Sequence, residues 1–415
     1  TMAWRKNSLM FPKNFDAHWA GGRGPVPVVL DGAWVNSLGI VRSLAELGLK
    51  SLVIHFNANG IGLASRYAVG LTAPSPWDDP QGLISRLEEV GRRLPRPGIL
   101  FITDDTYLMV LARGRERLAP YFRFTFPDAE TLAYLMDKTH QYETALRLGI
   151  PAPRSLPVRC GETAAEWPEQ AFPALVKGLS GKQFFHLFGK QTILVDNRAA
   201  LEAVLARCTS IDALVQEIIP GGDDELYALG CYISPDPHKE PVYFTSRKLI
   251  QIPPFFGTCS VGESLPCEPA ALQGLELLRA FRFHGAAHVE FKRDPRDGLY
   301  KLIEINARFW KSHALGTPCG VNIAAAAYLD MAGLPPLPKV PQRNGVRWVA
   351  FSEAAVQRLM GNRDNRLRRM LPFLRPPVMH GLWSWRDPRP FFRYLQNKAQ
   401  SFLRRKPHED SHSAV

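Results

Sequence analysis

Two neighbouring segments with alternating polar and apolar residues constrain the fold of this chain more than any other feature of its sequence. Residues 286–292 and 300–307 alternate in this way, and residues 294–298 between them, Asp-Pro-Arg-Asp-Gly, are rich in turn formers. Alternation with a period of two is typical of a β-strand. We therefore predict a β-hairpin, and centring it on this turn places Glu290 opposite Glu304.

The polar residues of the predicted hairpin share one face, because successive side chains of a strand point to opposite sides. This face carries, in chain order, His288, Glu290, Lys292, Glu304, Asn306 and Arg308. Two directly opposed carboxylates repel each other unless a cation lies between them. Oxygen ligands suit Mg²⁺ rather than zinc, so Glu290, Glu304 and Asn306 are candidate Mg²⁺ ligands. The alternative is a solvated face on which Lys292 and Arg308 form ion pairs with the glutamates.

The first 130 residues alternate strand and helix patterns, which is typical of a parallel sheet. Strand patterns occupy residues 26–30, 51–56 and 98–103, and a helix pattern occupies residues 38–47. The ligand crevice of such a sheet lies outside the carboxyl ends of its strands. Asp31, Asn36, Asp104 and Asp105 follow these ends and are expected where a ligand would lie, and Asp31, Asn36 and Asp105 are candidate substrate contacts. The alternative for each of the four is capping of the following helix. Residues 31–39 lack the GxGxxG spacing, which argues against a dinucleotide site.

A second group of elements follows residue 130. Helix patterns occupy residues 132–148 and 272–283, and strand patterns occupy residues 174–177, 213–219, 226–233 and 242–250. A Gly/Ser/Lys loop is predicted at residues 178–182, directly after the first of these strands. The change of pattern predicts a second domain.

Composition excludes several classes of protein. Of the 415 residues, 46% are hydrophobic and 22% are charged, which excludes an intrinsically disordered chain. No apolar stretch approaches the roughly 20 residues of a membrane-spanning helix, and the first residues lack an apolar core of signal-peptide length. The six cysteines are scattered without a CxxC pair. We therefore expect reduced thiols in a cytoplasmic protein, with no zinc site or disulfide framework.

Basic residues concentrate at the C-terminus. Residues 340–415 contain 15 basic and 5 acidic residues, whereas the rest of the chain contains 36 and 34. Asp387 and Pro388 are predicted to begin a helix as its N-cap and first residue. One face of this helix would carry Phe391, Phe392, Leu395, Ala399, Phe402 and Leu403. The cations around it are Arg389, Arg393, Lys398, Arg404, Arg405 and Lys406.

This basic amphipathic pattern, with Trp383 and Trp385 upstream, is typical of a helix that lies on an anionic membrane. We therefore predict a peripheral contact at the inner membrane face. The alternative is that the apolar face docks on the catalytic core and the arginines are solvated. No nucleic-acid partner is expected, because no recognition module accompanies the charge.

Five segments, in order, resemble the ATP-grasp enzymes over about residues 25–335. They are DKTHQYETALRLGIPAP (137–153), FPALVKG (172–178), LVQEIIPGGDDE (214–225), GAAHVEFKRD (285–294) and LIEINARFW (302–310). The most specific of them is the E-x-N-x-R pattern with an upstream glutamate. The resemblance implies an α/β protein with an N-terminal Rossmann-like (pre-ATP-grasp) domain, an ATP-grasp domain and a basic C-terminal extension. Their boundaries are expected at 1–130, 131–335 and 336–415, with a small lobe at about 154–222 and a large lobe at about 223–335.

The resemblance also implies ATP and two Mg²⁺ ions as cofactors. Phosphate contacts would come from Lys138, Lys177 and Lys182, with Lys177 also near the adenine. The segment Gln216–Ile219 matches the linker that pairs with the adenine edge, through Glu217 and Ile219, and Glu225 would contact the ribose. Glu290, Glu304 and Asn306 match the Mg²⁺ ligands, and Arg308 matches the arginine beside the transferred phosphate. Lys177 and Arg308 are thus the implied catalytic residues. Residues 178–183 lack the dense glycine run of many family members.

Two further segments resemble predicted ATP-grasp carboxylate–amine ligases. They are YFTSRKLIQIPPFFGTCSVGES (243–264) and WSWRDPRPF (383–391). The resemblance implies ligation of a small carboxylate to an amine through an acyl phosphate, with release of ADP and phosphate. Arg247 and Lys248 are candidates for gripping an anionic substrate, and the alternative is a strand edge protected by charge.

Closure of a loop at residues 178–190 would keep water from the acyl phosphate. A kinase on the same fold and an ATP-binding module without turnover are the alternative functions. His186, His288 and Cys259 have no partner at a fixed spacing and are expected to be structural.

Overall fold

The chain divides into two compact units. The computed structural model describes residues 11–22, 24–179, 181–253, 257–350 and 377–404, without the side chains of residues 181, 182 and 402–404. The first unit comprises Thr1–Phe124, Met331–Pro335 and His380–Val415, and the second comprises Thr125–Asp330 and Pro336–Met379. Among the helices that the structure describes, none has both the length and the apolar run required to cross a bilayer.

A five-stranded parallel sheet forms the centre of the first unit. Its strands are β1 (Pro27–Leu30), β2 (Ser51–His55), β3 (Ala68–Thr72), β4 (Gly98–Ile102) and β5 (Phe122–Phe124). The order across the sheet is β3-β2-β1-β4-β5. Every residue of β1, β2 and β4 is buried, as expected for apolar strands covered on both faces. The strands predicted from the apolar runs of this region are confirmed. The strand order reverses beside β1, which creates a crevice between the carboxyl ends of β1 and β4.

Helices connect these strands. They are α1 (Val35–Ala45), α2 (Pro80–Arg93), α3 (Asp105–Arg113) and α4 (Arg115–Leu118), with 3-10 turns at Asp16–His18 and Gly62–Ala64. Asp104 caps α3, since its side chain accepts hydrogen bonds from the backbone N–H groups of Thr106 and Tyr107. The capping alternative is therefore confirmed for Asp104.

The second unit contains two antiparallel sheets. The smaller sheet has the order β6-β9-β7-β8, and the larger has the order β14-β13-β10-β11-β12-β15-β16. The strands are β6 (Ser155–Val158), β7 (Ala174–Gly178), β8 (Thr192–Val195), β9 (Ala213–Glu217), β10 (Leu226–Ile233), β11 (Val242–Ile252), β12 (Thr258–Ser264), β13 (Gly285–Arg293), β14 (Tyr300–Asn306), β15 (Arg347–Val349) and β16 (Val378–His380). Buried apolar side chains of the smaller sheet, among them Val176, Val215 and Phe184, form one core.

The remaining helices frame these sheets. They are α5 (Ala129–Met136), α6 (Lys138–Arg147), α7 (Gly181–Phe188), α8 (Arg198–Leu205), α9 (Glu268–Ala280), α10 (Ile323–Ala332) and, in the first unit, α11 (Arg389–Arg404). The 3-10 turns of this part of the chain are Glu169–Ala171, Asp223–Glu225 and His313–Gly316.

Two local predictions were wrong. The single helix expected at residues 132–148 is two helices, α5 and α6, because the Asp137 side chain accepts a hydrogen bond from the Thr139 N–H at 2.7 Å and starts a new helix. This break places Lys138 at the first position of α6. The loop expected at residues 178–182, and the longer closing loop at 178–190, contain helix α7 from Gly181 onwards. The side chain of Lys182 lies outside the described residues.

The C-terminal residues also differ from the expectation of one extension. Residues 336–379 belong to the second unit, where β15 and β16 extend the larger sheet, and residues 380–415 belong to the first unit. Helix α11 begins at Arg389, one residue later than predicted. Asp387 does not act as the predicted N-cap, because its carboxylate accepts hydrogen bonds from Arg42 Nε at 3.1 Å and Ser65 Oγ at 2.8 Å.

Candidate active site

The predicted hairpin forms the centre of the candidate site in the second unit. Strands β13 and β14 are antiparallel neighbours, and Glu290 lies opposite Glu304 while His288 lies opposite Asn306. The predicted register is therefore confirmed. The pairing shifts by one residue directly after Glu290, which marks a bulge at this point of the ladder. Bulges occur next to active sites, where they redirect a side chain.

Glu290 is paired with a lysine from β11. Lys248 Nζ donates to Glu290 Oε2 at 2.6 Å, and only 11% of the Lys248 side chain is exposed. Burial alone would lower the pKa of Lys248, but the charge of Glu290 raises it above its usual value. The ammonium group therefore stays protonated, and it neutralises one of the two opposed carboxylates.

Glu304 is held by a second set of polar groups. Asn306 Nδ2 donates to Glu304 Oε1 at 2.8 Å, and Lys138 Nζ lies 3.8 Å from Glu304 Oε2. Arg308 Nη2 in turn donates to Asn306 Oδ1 at 3.3 Å. Burial alone would raise the pKa of Glu304, but the charge of Lys138 and the hydrogen bond from Asn306 hold it below its usual range. Glu304 is thus an ionised carboxylate among cations.

Lys177 projects from β7 into a buried polar position. Its Nζ donates to Gln216 Oε1 at 2.8 Å and to the Tyr142 hydroxyl at 3.1 Å. Burial lowers the pKa of Lys177 to about 8, although the charge of Glu304 acts in the opposite direction. Gln216 is itself fixed, because its Nε2 donates to Ser155 Oγ at 2.8 Å. The ammonium group is therefore held in place before any ligand binds.

Helix α6 supplies contacts that local sequence patterns do not reveal. The Tyr142 hydroxyl donates to the Ile303 carbonyl at 2.7 Å. The Gln141 amide donates to the Ile305 carbonyl at 3.1 Å and accepts from the Ile305 N–H at 2.9 Å. Because β14 is an edge strand, these bonds satisfy its outer backbone groups. They also fix Lys138, on the same helix, relative to β14.

His288, expected to be structural, lies at the site. Its Nδ1 is 3.3 Å from Glu290 Oε1, and its ring stacks on Trp310 with the centroids 4.8 Å apart. Burial lowers the pKa of His288 to about 4, so the imidazole is neutral at pH 7. The signal available in the sequence was its place on the polar face of the hairpin, two residues before Glu290.

The alternative interpretation of the hairpin required an ion pair between Lys292 and Glu290 or Glu304. Lys292 does not form this ion pair. Its Nζ donates to the carbonyls of Ile219 and Gly221 at 2.8 and 2.9 Å. Burial lowers the pKa of Lys292. Strand β9 ends at Glu217 rather than at Ile219, and Lys292 thereby ties the predicted adenine linker to β13. Glu225 follows in a 3-10 turn, with Oε2 3.8 Å from Arg293 Nη1.

An ion network fixes the other end of this linker. Asp294 is fully buried and accepts hydrogen bonds from Arg296 Nε at 2.9 Å and Lys301 Nζ at 2.6 Å. Arg296 also pairs with the Glu217 side chain. The hydrogen bond from Arg296, with that from Lys301, holds the pKa of Asp294 well below its usual range. The hairpin turn is thus joined to the end of β9.

We expect Asp294→Asn to lower the free energy of unfolding by about 1.5–3 kcal/mol at pH 7, because it weakens the charge-assisted hydrogen bonds from Arg296 and Lys301 to a buried carboxylate. The depressed pKa of Asp294 contributes stability that is present above its unfolded value near pH 4 and is lost as the pH falls further. The difference between the two proteins in urea unfolding should therefore shrink below about pH 4.

The matched control for this prediction is Asp297→Asn in the same turn. Its carboxylate is 40% exposed and lies 3.4 Å from Lys301, so its loss should cost less than about 1 kcal/mol. Equal stability of Asp294→Asn and the wild type at pH 7 would show that the network does not stabilise the fold.

The donor set of the hairpin fits Mg²⁺. The register of the two strands places Glu290 and Glu304 opposite each other. A lysine ammonium lies next to each carboxylate, so a positive charge is favourable at this position. Asn306 adds an amide oxygen beside them. Within the described residues no three His, Cys, Asp or Glu side chains cluster as metal ligands. The candidate metal site therefore consists of two carboxylates and one amide, all hard oxygen donors.

Arg247 and Lys248 lie on opposite faces of β11. Strand β11 is flanked by β10 and β12, so the alternative of an exposed strand edge is wrong. Arg247 Nη2 pairs with Glu263 of β12 at 3.2 Å, on the face of β11 opposite to that of Lys248. Lys248 is the one of the two that the structure brings to Glu290.

The substrate candidates of the first unit lie at the carboxyl end of its sheet. Asp31 follows β1 with φ +66°, and its Oδ2 accepts a hydrogen bond from Thr103 Oγ1 at 3.2 Å. It does not cap α1, whose N-cap is Trp34. Asn36 and Asp105 lie in the first turns of α1 and α3.

A polar cavity of about 540 Å³ opens at the same end of the first unit. Its polar lining comprises His55, Asn57, Asn59, Asn397, Gln400 and Ser401. His55 Nδ1 lies 3.4 Å from Asp31 Oδ1, and burial lowers the pKa of His55 to about 4. His55 ends an apolar strand without any motif, so no pattern in the sequence identifies it as a candidate site residue.

Solved structures share this architecture. The chain superimposes on N5-carboxyaminoimidazole synthetase from Staphylococcus aureus complexed with ADP with a TM-score of 0.61 at 13% identity, covering 82% of this chain and 86% of that one. The corresponding values for the L-amino acid ligase from Bacillus licheniformis are 0.57, 18%, 76% and 75%. The chain therefore has an ATP-grasp fold with a Rossmann-like N-terminal part, and the predicted resemblance to ATP-grasp enzymes is confirmed.

Comparison of the amino-acid sequence with known proteins agrees with an ATP-grasp fold. The family model "Carbamoyl-phosphate synthase L chain, ATP binding domain" matches residues 270–333, which include β13 and β14. The chain is similar to the D-aspartate ligase of Enterococcus faecium (strain Aus0004), with 26% identity over 243 residues. The match covers 54% of this chain and 56% of that protein, so the chain spans little more than half the length of this curated relative.

Proposed function

We propose that the chain is an ATP-dependent carboxylate–amine ligase. The observation that carries the proposal is the pair Glu290 and Glu304, held opposite each other among the cations Lys138, Lys177 and Lys248. Such a site suits the transfer of a phosphoryl group, in which charge must be neutralised. The relatives named as D-aspartate ligase and L-amino acid ligase support ligation as the reaction.

In the proposed reaction a carboxylate oxygen of one substrate attacks the γ-phosphorus of ATP, and ADP leaves. The nitrogen of the amine then attacks the carbonyl carbon of the acyl phosphate, phosphate leaves, and the nitrogen loses a proton. No protein nucleophile is needed for either step. Lys138 and Lys177 would bind the phosphates, and Arg308 would lie beside the transferred group.

Glu290, Glu304 and Asn306 would hold two Mg²⁺ ions, which when bound neutralise charge on the phosphates. The backbone of Glu217 and Ile219 would pair with the adenine edge, and Glu225 would contact the ribose. Lys182 is retained as a further phosphate contact from the sequence. Each of these roles is supported by the fold and by the position of the residue in the second unit.

The substrates are proposed to include an amino acid, which both named ligases suggest. Asp31, Asn36 and Asp105 are the candidate contacts in the first unit, near its polar cavity, and Arg247 and Lys248 are the candidates in the second. Lys248 is the stronger of these two, because Arg247 is paired with Glu263. We further propose a cytoplasmic location, which the six free thiols support.

The test is incubation of the protein with ATP, Mg²⁺ and pairs drawn from D- and L-amino acids and small acids, including D-aspartate. We expect ADP and phosphate in equal amounts, and a product whose mass is the sum of the two substrates less one water. The Glu304→Gln variant in the same mixture is the control. A phosphorylated product that accumulates without an amide would identify a kinase and overturn the proposal.

A further inference from the structure

Helix α11 contacts the rest of the first unit through its polar side. Arg393 Nη1 donates to the Ala58 carbonyl at 3.0 Å, and Asn397 Nδ2 donates to the Asn59 carbonyl at 2.8 Å. The ring of Tyr394, on the same side, lies 5.8 Å from that of Trp34. These contacts fix which side of the helix faces the protein.

Directly before the helix, the buried Asp387 anchors the chain. Its carboxylate accepts hydrogen bonds from Arg42, from Ser65 and from the Arg66 N–H at 2.9 Å. The Arg42 guanidinium also donates to the backbone carbonyls of Gly381 and Leu382. The segment that leads into α11 is thus held by hydrogen bonds to the Asp387 carboxylate and to the backbone carbonyls of Gly381 and Leu382.

The apolar side of α11 faces solvent. At about 100° per residue, Phe392, Leu395 and Ala399 lie on the side of the helix opposite Asn397. Phe392 is 59% exposed and Leu395 is 46% exposed, and Ala399 is exposed as well. The alternative that the apolar face docks on the protein therefore does not hold for Phe392, Leu395 and Ala399, and the polar face makes the hydrogen bonds to the protein instead.

An exposed tryptophan extends this apolar surface. Trp385 is 86% exposed, and its ring lies 4.9 Å from that of Trp383. Trp383 in turn packs edge-on against Phe391 at 5.1 Å. A large amphipathic ring held at the end of an apolar helix face is typical of a protein that enters a membrane interface.

Cations flank the apolar face on both sides. With the same helical spacing, Arg389 lies at one edge of the face and Lys398 at the other, and both are exposed. The helix sequence, residues 389–404, contains four basic residues and no acidic one. Long cationic side chains at the edges of an apolar strip can reach lipid phosphates while their stems lie along the acyl boundary.

We propose that this surface, formed by Trp385, Phe392, Leu395, Ala399 and the flanking Arg389 and Lys398, docks on an anionic phospholipid bilayer, with α11 lying in the plane of the interface. The charge complementarity between a helix without acids and anionic headgroups selects this occupant. The inference is independent of the proposed ligase activity, since none of these residues belongs to the candidate active site.

The test is co-sedimentation of the full chain with vesicles of phosphatidylglycerol and phosphatidylcholine in equal parts, and with vesicles of phosphatidylcholine alone. We expect binding to the anionic vesicles only, reduced at high salt. The double variant Arg389→Gln, Lys398→Gln should bind about thirtyfold more weakly. Phe392→Ser with Leu395→Ser should weaken binding about tenfold or more.

Matched controls remove exposed groups elsewhere. Leu272→Ser removes an apolar side chain that is 60% exposed on α9, and Lys50→Gln with Arg113→Gln removes two exposed cations. Both controls should bind vesicles like the wild type, and an unchanged thermal transition should show that every variant is folded.

The proposal is overturned if the full chain does not sediment with anionic vesicles at low salt, or if the Phe392/Leu395 variant binds as the wild type does. Light scattering tests whether the apolar face of α11 binds a second copy of the chain instead of a membrane. A wild-type oligomer that the Phe392/Leu395 variant dissociates, with no effect on vesicle binding, would assign the face to self-association and overturn the proposal.

Discussion

The Glu304→Gln variant is expected to lose Mg²⁺-dependent ATP turnover by a factor of about 100 to 1000 while it remains folded. Glutamine keeps the size of the side chain and its bond to Asn306 but removes the negative charge. That charge faces Lys138 and lies opposite Glu290, where a metal ion would need it. The variant should also need more Mg²⁺ for half-maximal turnover, because a ligand charge is lost.

The measurement is ADP release as a function of Mg²⁺ concentration, with the thermal transition as the check of folding. The matched control is Glu276→Gln, which removes an exposed carboxylate from α9 of the same unit. This control should turn over ATP like the wild type. Undiminished turnover by folded Glu304→Gln would remove Glu304 from the metal site, whatever the substrates of the enzyme prove to be.

The hairpin that carries Glu290 and Glu304 could be predicted in register from the sequence alone. Its signal is local: two alternating segments and a turn between them, which together determine which residues are opposite. The apolar strands β1, β2 and β4 were predictable for a similar reason, since each is a short buried run ended by polar residues. Elements whose determinants lie within about ten residues are the ones that periodicity reveals.

Side-chain partners from distant segments could not be predicted in this way. The pairing of Lys248 with Glu290 depends on the position of β10 between β11 and β13 in one sheet, which no spacing encodes. The same holds for Tyr142, whose hydroxyl joins Lys177 to the backbone of β14. The division of residues 132–148 does have a local signal, because Asp137 is a favourable N-cap inside an otherwise helical pattern.

Helix α11 shows a different limit of sequence reasoning. Its periodicity correctly separates an apolar face from a basic one, but it does not say which face contacts the protein. The outcome depends on carbonyl groups at Ala58 and Asn59, which accept bonds from Arg393 and Asn397. A loop that offers backbone acceptors favours the polar face, so the apolar face is left to solvent.

Lys177→Met is expected to weaken ATP binding by about 10- to 100-fold at pH 7, because a charge-assisted bond to phosphate is worth roughly 1.5–3 kcal/mol. Burial lowers the pKa of Lys177 to about 8 in the free protein. Bound phosphate favours the ammonium form and raises this pKa, so binding near pH 8 should take up about half a proton. The ATP affinity of the wild type should fall as the pH rises through 8, since Lys177 must then take up a proton from solution when ATP binds.

Calorimetry in two buffers with different ionisation enthalpies measures both quantities, affinity and proton uptake. Lys177→Met should lose the affinity and the proton uptake together. Lys339→Met, which removes a lysine whose side chain is 77% exposed, is the matched control and should change neither. Unchanged affinity in folded Lys177→Met would exclude this lysine from the nucleotide site. If the variant binds ATP more weakly but still takes up the proton, Lys177 contributes charge to the site while another group accepts the proton. The cations around Glu304 would then be tested as that group, beginning with Lys138, whose Nζ lies 3.8 Å from Glu304 Oε2.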